Sequence, residues 1–221
     1  MLRENLDSLG DRSVVLAEFQ FAGRGRLGRA WASPPGNLYA SILWKPAPPL
    51  DACARISLLV ADLICDMLGS SGIKGEVKWP NDVVIGGRKL AGILPESGPH
   101  PVPWLILGVG VNIAVTPRLS DLRGLEPVSW TEAGRSGEPF DIMLDLLERI
   151  DMAWPDTSRD PIEGRRDSIS ARLWCRGQLV RMTRGSETTA GTLTGIDSEG
   201  RLVLATSNGT ASFESGELRP I

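Results

Sequence analysis

Adjacent glycines at 86 and 87, with the apolar run Val83-Val84-Ile85 before them and residues 89–94 after, fix an antiparallel hairpin mid-chain. Both glycines can take positive φ, which a two-residue turn between twisted strands requires. Other elements fall into place around it. Residues 14–19 form a short apolar strand. Residues 38–44 alternate Leu38, Ala40, Ile42 and Trp44 against Tyr39, Ser41 and Leu43, a strand pattern. Pro46, Pro48 and Pro49 close it, and Asp51 can cap the helix that follows. In that helix Ile56, Leu59, Val60, Leu63, Ile64, Met67 and Leu68 recur at helical spacing, until Gly69 or Gly72 ends it. Residues 104–114 offer another buried strand. Ser129 with Glu132 resembles a capping box. Phe140, Met143, Leu144, Leu147, Ile150 and Trp154 mark a second amphipathic helix, stopped by Pro155. After about Arg172 the texture changes to short strands, at 179–183, 191–196, 201–205 and 211–213, separated by turns at 197–200 and 207–209. That spacing predicts a small barrel of SH3-like size.

A chain of 221 residues, 42% hydrophobic and 23% charged, suits one sizeable domain with a small satellite. The boundary is expected at 171/172. The net charge of −3 gives no global attraction to nucleic acid. Cys53, Cys65 and Cys175 are odd in number and never form a CxxC pair, so they read as buried packing rather than a disulfide framework or zinc knuckle. One histidine, His100 in a Pro-His-Pro loop, excludes a Ser-His-Asp triad and a multi-histidine metal site. The N-terminus reads as no signal peptide and no apolar run approaches a membrane span, so a cytoplasmic location is expected. Any chemistry must use lysine, arginine, carboxylates, backbone amides or a metal carried on substrate phosphates.

The segment Gly23-Arg24-Gly25-Arg26-Leu27-Gly28-Arg29 contains a literal GxGxxG. A dinucleotide-binding turn would need its third glycine inside a helix, and Ser33-Pro34-Pro35-Gly36 forbids one. A kinase reading fails for want of HRD and DFG sequences downstream. Composition is more telling. No acidic residue occurs from Phe19 through Leu50, yet three arginines fall within six positions. Glycines that let backbone N–H groups approach, joined to bidentate arginines, make an anion site.

The second motif is Lys78-Trp79-Pro80-Asn81-Asp82, followed after the hairpin by Arg88-Lys89-Leu90-Ala91-Gly92-Ile93-Leu94. A lysine on an apolar strand just past a glycine turn points either to solvent or into a site where an anion keeps it charged.

Taken in order, Gln20, the 23–29 loop with Trp31, the 78–82 pentad, the 88–94 stretch and Gly108-Val109-Gly110-Val111-Asn112 resemble the catalytic core of the biotin protein ligases. The resemblance covers nearly the whole chain. It implies an α/β (α+β) fold, a biotin/lipoate ligase-like core with a mixed sheet and helices, followed by an SH3-like domain. It implies ATP and Mg2+, with biotin as substrate and biotinyl-adenylate as intermediate. A biotin carboxyl carrier protein, such as that of acetyl-CoA carboxylase, would receive the biotinyl group. By resemblance Lys89 and Arg26 are catalytic, and Gln20, Gly23, Arg24, Gly25, Arg26, Lys89 and Gly92 line the biotin site. Arg26, Arg29, Trp31, Lys78, Asn81 and Asn112 face ATP, and magnesium is held through the phosphates with no protein ligand. A homodimer is compatible with this reading, whereas specific DNA binding and membrane association are not expected. One departure concerns the Ser-Thr-Asn segment that the family carries about twenty residues before the position of Gln20. Only nineteen residues precede Gln20 here, none reading Ser-Thr-Asn, and Asp7-Ser8 falls too late to substitute. Either the start lies further upstream, or part of the biotin pocket is lost. The rival readings are a lipoate or octanoate ligase-like enzyme and a relative that binds ligand without turnover.

Overall fold

The computed structural model describes residues 2–99, 101–118 and 124–221, with the backbone alone at Leu50. His100 lies outside the described residues. Six strands, β1 (Val14–Leu16), β2 (Leu38–Trp44), β3 (Glu76–Lys78), β4 (Asp82–Ile85), β5 (Arg88–Gly98) and β6 (Trp104–Val111), form one sheet in the order β1-β2-β6-β5-β4-β3. The α/β core with helices packed on a sheet is as expected, but the sheet is not mixed: every named strand pair is antiparallel, because each consecutive connection within β3–β6 is a short turn that reverses the chain. Among the described residues, parallel geometry enters only as isolated bridges, Val77 to Leu173 and Lys89 to Pro127. The hairpin forms as read, with Gly86 at φ 56° and Gly87 at φ 77°.

Helix α1 (Leu50–Gly69) lies across one face of the sheet. Its stripe of Ile56, Leu59, Val60, Leu63, Ile64, Met67 and Leu68 is buried against Leu38, Ala40, Ile42, Trp44, Ala91, Ile93, Leu105 and Leu107. Asp51 does not cap it. Pro49 holds the cap position, and Asp51 sits in the first turn 2.8 Å from Arg55. Cys53 and Cys65 are buried in this helix, and burial pushes the Cys65 thiol up to about 12. Both therefore act as packing groups. Helix α2 (Pro139–Ala153) packs against α1 and β2. Its buried residues are Ile142, Met143, Leu146 and Ile150, so the helix is rotated from the stripe expected, and Phe140 and Leu144 stay exposed. The capping box is half formed. The Ser129 hydroxyl accepts the Glu132 N–H at 3.2 Å, but the Glu132 carboxylate turns to Arg88 and Thr116 and no helix follows.

Strand alternation gives the sheet a second buried face. Leu43, Trp104 and Ile106 point away from α1 and are covered at one end by Leu2 and Leu6 of the N-terminal segment. Further along that face stand Tyr39, Gly110 and Gly92, each in register with the next. The bare end of this face is where the sequence motifs converge.

A short helix α3 (Arg166–Ala171) leads into β7 (Leu179–Arg184), β8 (Glu187–Ile196), β9 (Leu202–Thr206), β10 (Gly209–Phe213) and β11 (Glu217–Pro220). These make a five-stranded antiparallel sheet, order β10-β9-β8-β7-β11, in keeping with the SH3-like domain expected. Its apolar residues Val180, Met182, Leu193, Leu202, Leu204 and Leu218 join the same buried cluster as α1. Among the described residues no helix is long and apolar enough to cross a membrane.

Candidate functional site

Lys89 reaches the site face because β5 carries a bulge. Val83 pairs with Ala91 but Val84 pairs with Lys89, so Leu90 is the extra residue. Strict alternation would put Lys89 on the same face as the buried Ala91 and Ile93. The bulge breaks that phase, buries Leu90 and places Lys89 beside Gly92. A Cβ on Gly92 would stand 3.3 Å from Lys89 Nζ. The Lys89 backbone is clamped on its other side, donating to Glu126 O at 2.7 Å and accepting from Val128 N at 2.9 Å. Its ammonium lies 2.7 Å from Asp82 Oδ1 and 5.1 Å from the centre of the Trp31 ring.

Trp31 lies over Gly92 and Gly110, where a Cβ would come within 3.1 Å and 2.8 Å of its indole. Two glycines paired across β5 and β6 thus make a floor without side chains. The indole Nε1 is buried without a hydrogen-bond partner.

The 23–29 loop closes on itself. Trp31 N donates to Gly23 O at 2.8 Å, and Gly25 N to Arg29 O at 2.7 Å. A single 3₁₀ turn spans Arg26–Gly28, with Leu27 at φ 56°. Gly23 is required sterically: a Cβ there would stand 2.4 Å from Trp31 O and 2.8 Å from Gln20 Oε1. Gln20 itself is exposed and accepts the Ser33 hydroxyl at 2.8 Å.

The three arginines part company. Arg26 is half-buried, its Nη1 donating to Asn81 Oδ1 at 3.1 Å, and burial pulls its pKa down while Asp82 opposes that. Arg24 is exposed and pairs with Glu96 at 3.3 Å. Arg29 is exposed and pairs at 3.5 Å with Glu217, a residue of the small domain.

The pentad is a tight connection between β3 and β4. Lys78 is mostly buried, 3.8 Å from Asp82 Oδ2; burial pulls its pKa down and Asp82 counters. Trp79 is buried and donates its Nε1 to Gly200 O at 3.0 Å, tying the pentad to the β8–β9 turn of the small domain. Asn81 is held twice by Ile93, donating Nδ2 to its carbonyl and accepting its N–H, each at 2.8 Å. Asn112 is buried. Its Nδ2 donates to Lys89 O and Val128 O, both at 3.2 Å, while its Oδ1 has no donor. Both asparagine amides therefore have their N–H groups engaged by protein carbonyls.

The structure thus gathers Arg26, Trp31, Lys78, Asn81, Lys89, Gly92 and Asn112 around one patch. Arg24 and Arg29 stand at its exposed margin. Reading the sequence missed Asp82, Gly110 and Glu217 as members. Asp82 could have been found as the acid four residues after Lys78. Glu217 could not, because nothing local links it to Arg29.

Known proteins resemble this chain in sequence and fold. The model of the biotin/lipoate A/B protein ligase family matches residues 2–112, and that of the biotin protein ligase C-terminal domain matches residues 177–218. A biotin–[acetyl-CoA-carboxylase] ligase of Paracoccus denitrificans is 36% identical over 89% of this chain and 85% of its own length. One from Mycobacterium tuberculosis is 30% identical over 94% of this chain and 79% of its own. The biotin protein ligase of Aquifex aeolicus, solved with biotin and ATP, superposes with a TM-score of 0.83 at 25% identity, covering 99% of this chain and 94% of that one. With both family models in chain order and the motif residues assembled on one face, the chain belongs to the biotin/lipoate A/B protein ligase family and is a biotin protein ligase.

Proposed function

We propose that the chain activates biotin with ATP to biotinyl-5'-AMP and passes the biotinyl group to a lysine of a biotin carboxyl carrier protein, that of acetyl-CoA carboxylase. The observation that carries this reading is the meeting of Arg26, Lys78 and Lys89 beside the glycine floor under Trp31. In the first step a carboxylate oxygen attacks the α-phosphorus and pyrophosphate leaves. In the second the carrier amine attacks the acyl carbon and AMP leaves. The first step presses two anions together, and cations already held in place lower its barrier without reorganising. Lys89 and Arg26 are assigned to the carboxylate and α-phosphate. Gln20, Gly23, Arg24, Gly25 and Gly92 are assigned to the biotin side, and Arg29, Trp31, Lys78, Asn81 and Asn112 to the nucleotide side. The unpartnered Asn112 Oδ1 supports that last assignment, since adenine brings an amino group able to donate to it. Asn81 acts by fixing Arg26. Magnesium would come bound to the triphosphate and neutralise it. In this reading residues 1–171 carry the chemistry, residues 172–221 brace the loop through Glu217, and the reaction runs in the cytoplasm.

The test is pyrophosphate release with biotin, lipoate and octanoate offered in turn. Biotin should support release far better than the others. Preference for lipoate or octanoate would assign the chain to the sister activity, and binding of biotin and an ATP analogue without release would make it a non-catalytic relative.

A second expectation concerns the loop. Leu27 is 85% exposed and left-handed, a conformation costing about 1 kcal/mol or more for a residue with a Cβ. Few contacts repay that cost, so anionic ligand drawing Arg26 and Arg29 inward should change how the loop is held. Trypsin should cut after Arg24 or Arg26 in free protein and far more slowly with biotinyl-adenylate bound. Equal rates in the two states would contradict ordering by ligand.

A further inference from the structure

Asp82 has no part in the assignments above, yet it stands between both lysines of the site. It opens β4, directly across from Lys78 in β3 and from Gly92 in β5. It is 8% exposed. Oδ1 lies 2.7 Å from Lys89 Nζ and Oδ2 lies 3.8 Å from Lys78 Nζ. Oδ1 accepts no directed hydrogen bond. Acids that serve structure in this chain pair with arginines but also take hydroxyl or backbone N–H donors. Asp197 takes two backbone N–H groups, from Glu199 and Arg201, and Asp62 takes the Ser168 hydroxyl. Asp82 is turned instead to the two ammonium groups.

We propose that Asp82 is a positioning residue, the resident counter-ion that holds the Lys78 and Lys89 ammonium groups aimed at the site before the anionic substrates arrive, and that gives up Lys89 to them on binding. The inference rests on the reading of Lys89 as the lysine that meets the carboxylate and α-phosphate. Three cations, Arg26, Lys78 and Lys89, share this half-buried region with Arg29 at its exposed margin, and among the described residues the acids facing them are Asp82 and Glu217. Burial disfavours the charged form of a lysine, and neighbouring cations add to that. With Asp82 neutral, Glu217 alone would oppose both effects, and it is already shared with Arg29 and Arg219. Once the substrates supply their own negative charge, Lys89 can exchange one carboxylate for another without leaving its place on β5.

The experiment follows pyrophosphate release from biotin and ATP, in the full chain, across the alkaline range. In Asp82→Asn the alkaline limb of kcat/KM should move down by about one pH unit or more, as buried Lys78 loses its counter-charge and gives up its proton earlier. Asp82→Glu should bring the limb back toward that of the parent. A merely structural role would lower the rate at every pH and leave the limb in place, and that result would overturn the proposal. Should Asp82→Asn not fold, the parent answers alone. The Lys89 Nζ resonance, identified by its loss in Lys89→Arg, should shift when biotin and a non-hydrolysable ATP analogue are added, and an unmoved resonance overturns the exchange. Lys89→Ala separates the two levels. If it keeps normal release, the assignment of Lys89 falls; if it is inactive while the Asp82→Asn limb stays put, only the role of Asp82 falls.

Discussion

Replacing Lys89 by alanine should slow pyrophosphate release by roughly a hundredfold or more, the scale of removing one preorganised electrostatic contact. The thermal midpoint should stay close to that of the parent. The asymmetry follows from how the side chain is held. Its ammonium is a quarter exposed and pairs with an acid that keeps Lys78 as a second partner, so the folded state loses little. The backbone at 89, which anchors residues 126–128 and receives Asn112, survives the substitution. On the proposed assignment of Lys89, the transition state loses a charge held against the reacting carboxylate and α-phosphate. Because that charge matters most as negative charge is brought together, the deficit should fall mainly on kcat rather than KM. Lys89→Arg should not rescue it fully, since a planar fork cannot occupy the point between Trp31 and Asp82 as a compact ammonium does. Near-normal release from Lys89→Ala, measured at saturating biotin and ATP, would remove Lys89 from the chemistry.

What was legible in the sequence follows how locally each feature is determined. The 86–87 hairpin, the strand at 38–44 and the long helix were readable because turn chemistry and apolar period act over a few residues. Strands β3, only three residues long, and β11 were not singled out. Helix α3 was missed as well, since six residues give no period to read. The rotation of α2 reflects tertiary choice, because its sequence offers two overlapping apolar stripes and α1 and β2 select one. Among the candidate site residues, Lys89 and Arg26 were found as basic residues in an apolar and a glycine-rich setting, where a charge needs a reason, whereas Lys78 was found only through the family resemblance. The β5 bulge that aims Lys89 left no mark on the pattern, because Leu90, Ala91 and Ile93 are apolar in either phase. Glycines 92 and 110 were legible as letters, but their purpose appears only when β5 and β6 pair and Trp31 folds over them. The expectation that Asn81 and Asn112 simply face ATP lacked the information that their amide groups already bind β5.

Asp62→Ala should lower stability by about 3 kcal/mol, the low end for breaking a buried ion pair. For a chain of this size that corresponds to roughly 10 °C in the unfolding midpoint. Asp62 lies on α1 with no exposed surface, in a position where an apolar residue would otherwise be expected. Its carboxylate accepts from Arg165, from Arg172 at 2.9 Å and from the Ser168 hydroxyl at 3.1 Å, and Arg172 also donates to its carbonyl at 3.1 Å. Asp66, one turn on, takes the same two arginines at 2.9 Å and 2.6 Å. Burial pushes the Asp62 carboxyl up and the arginines only partly offset it, whereas at the less buried Asp66 the arginines outweigh burial and hold it down. Alanine would remove the charge that both guanidinium groups enclose and leave a small void. Because Arg165 and Arg172 are about a third exposed and keep Asp66, the loss should stop short of the upper range. The position of the cluster sets a second consequence. Arg172 O accepts the N–H of Val77, and Trp174 N donates back to Val77 O, each at 2.9 Å, so the same residues dock the small domain beside the pentad that carries Lys78. Loosening α3 should therefore also weaken the support of Arg29 by Glu217, raising the KM for ATP more than the KM for biotin. Thermal unfolding of Asp62→Ala beside Asp62→Asn is the measurement, with asparagine losing less because it keeps an acceptor for Ser168. A midpoint within about 2 °C of the parent for the alanine variant, less than a 1 kcal/mol loss, would mean that the cluster adds nothing that packing does not supply.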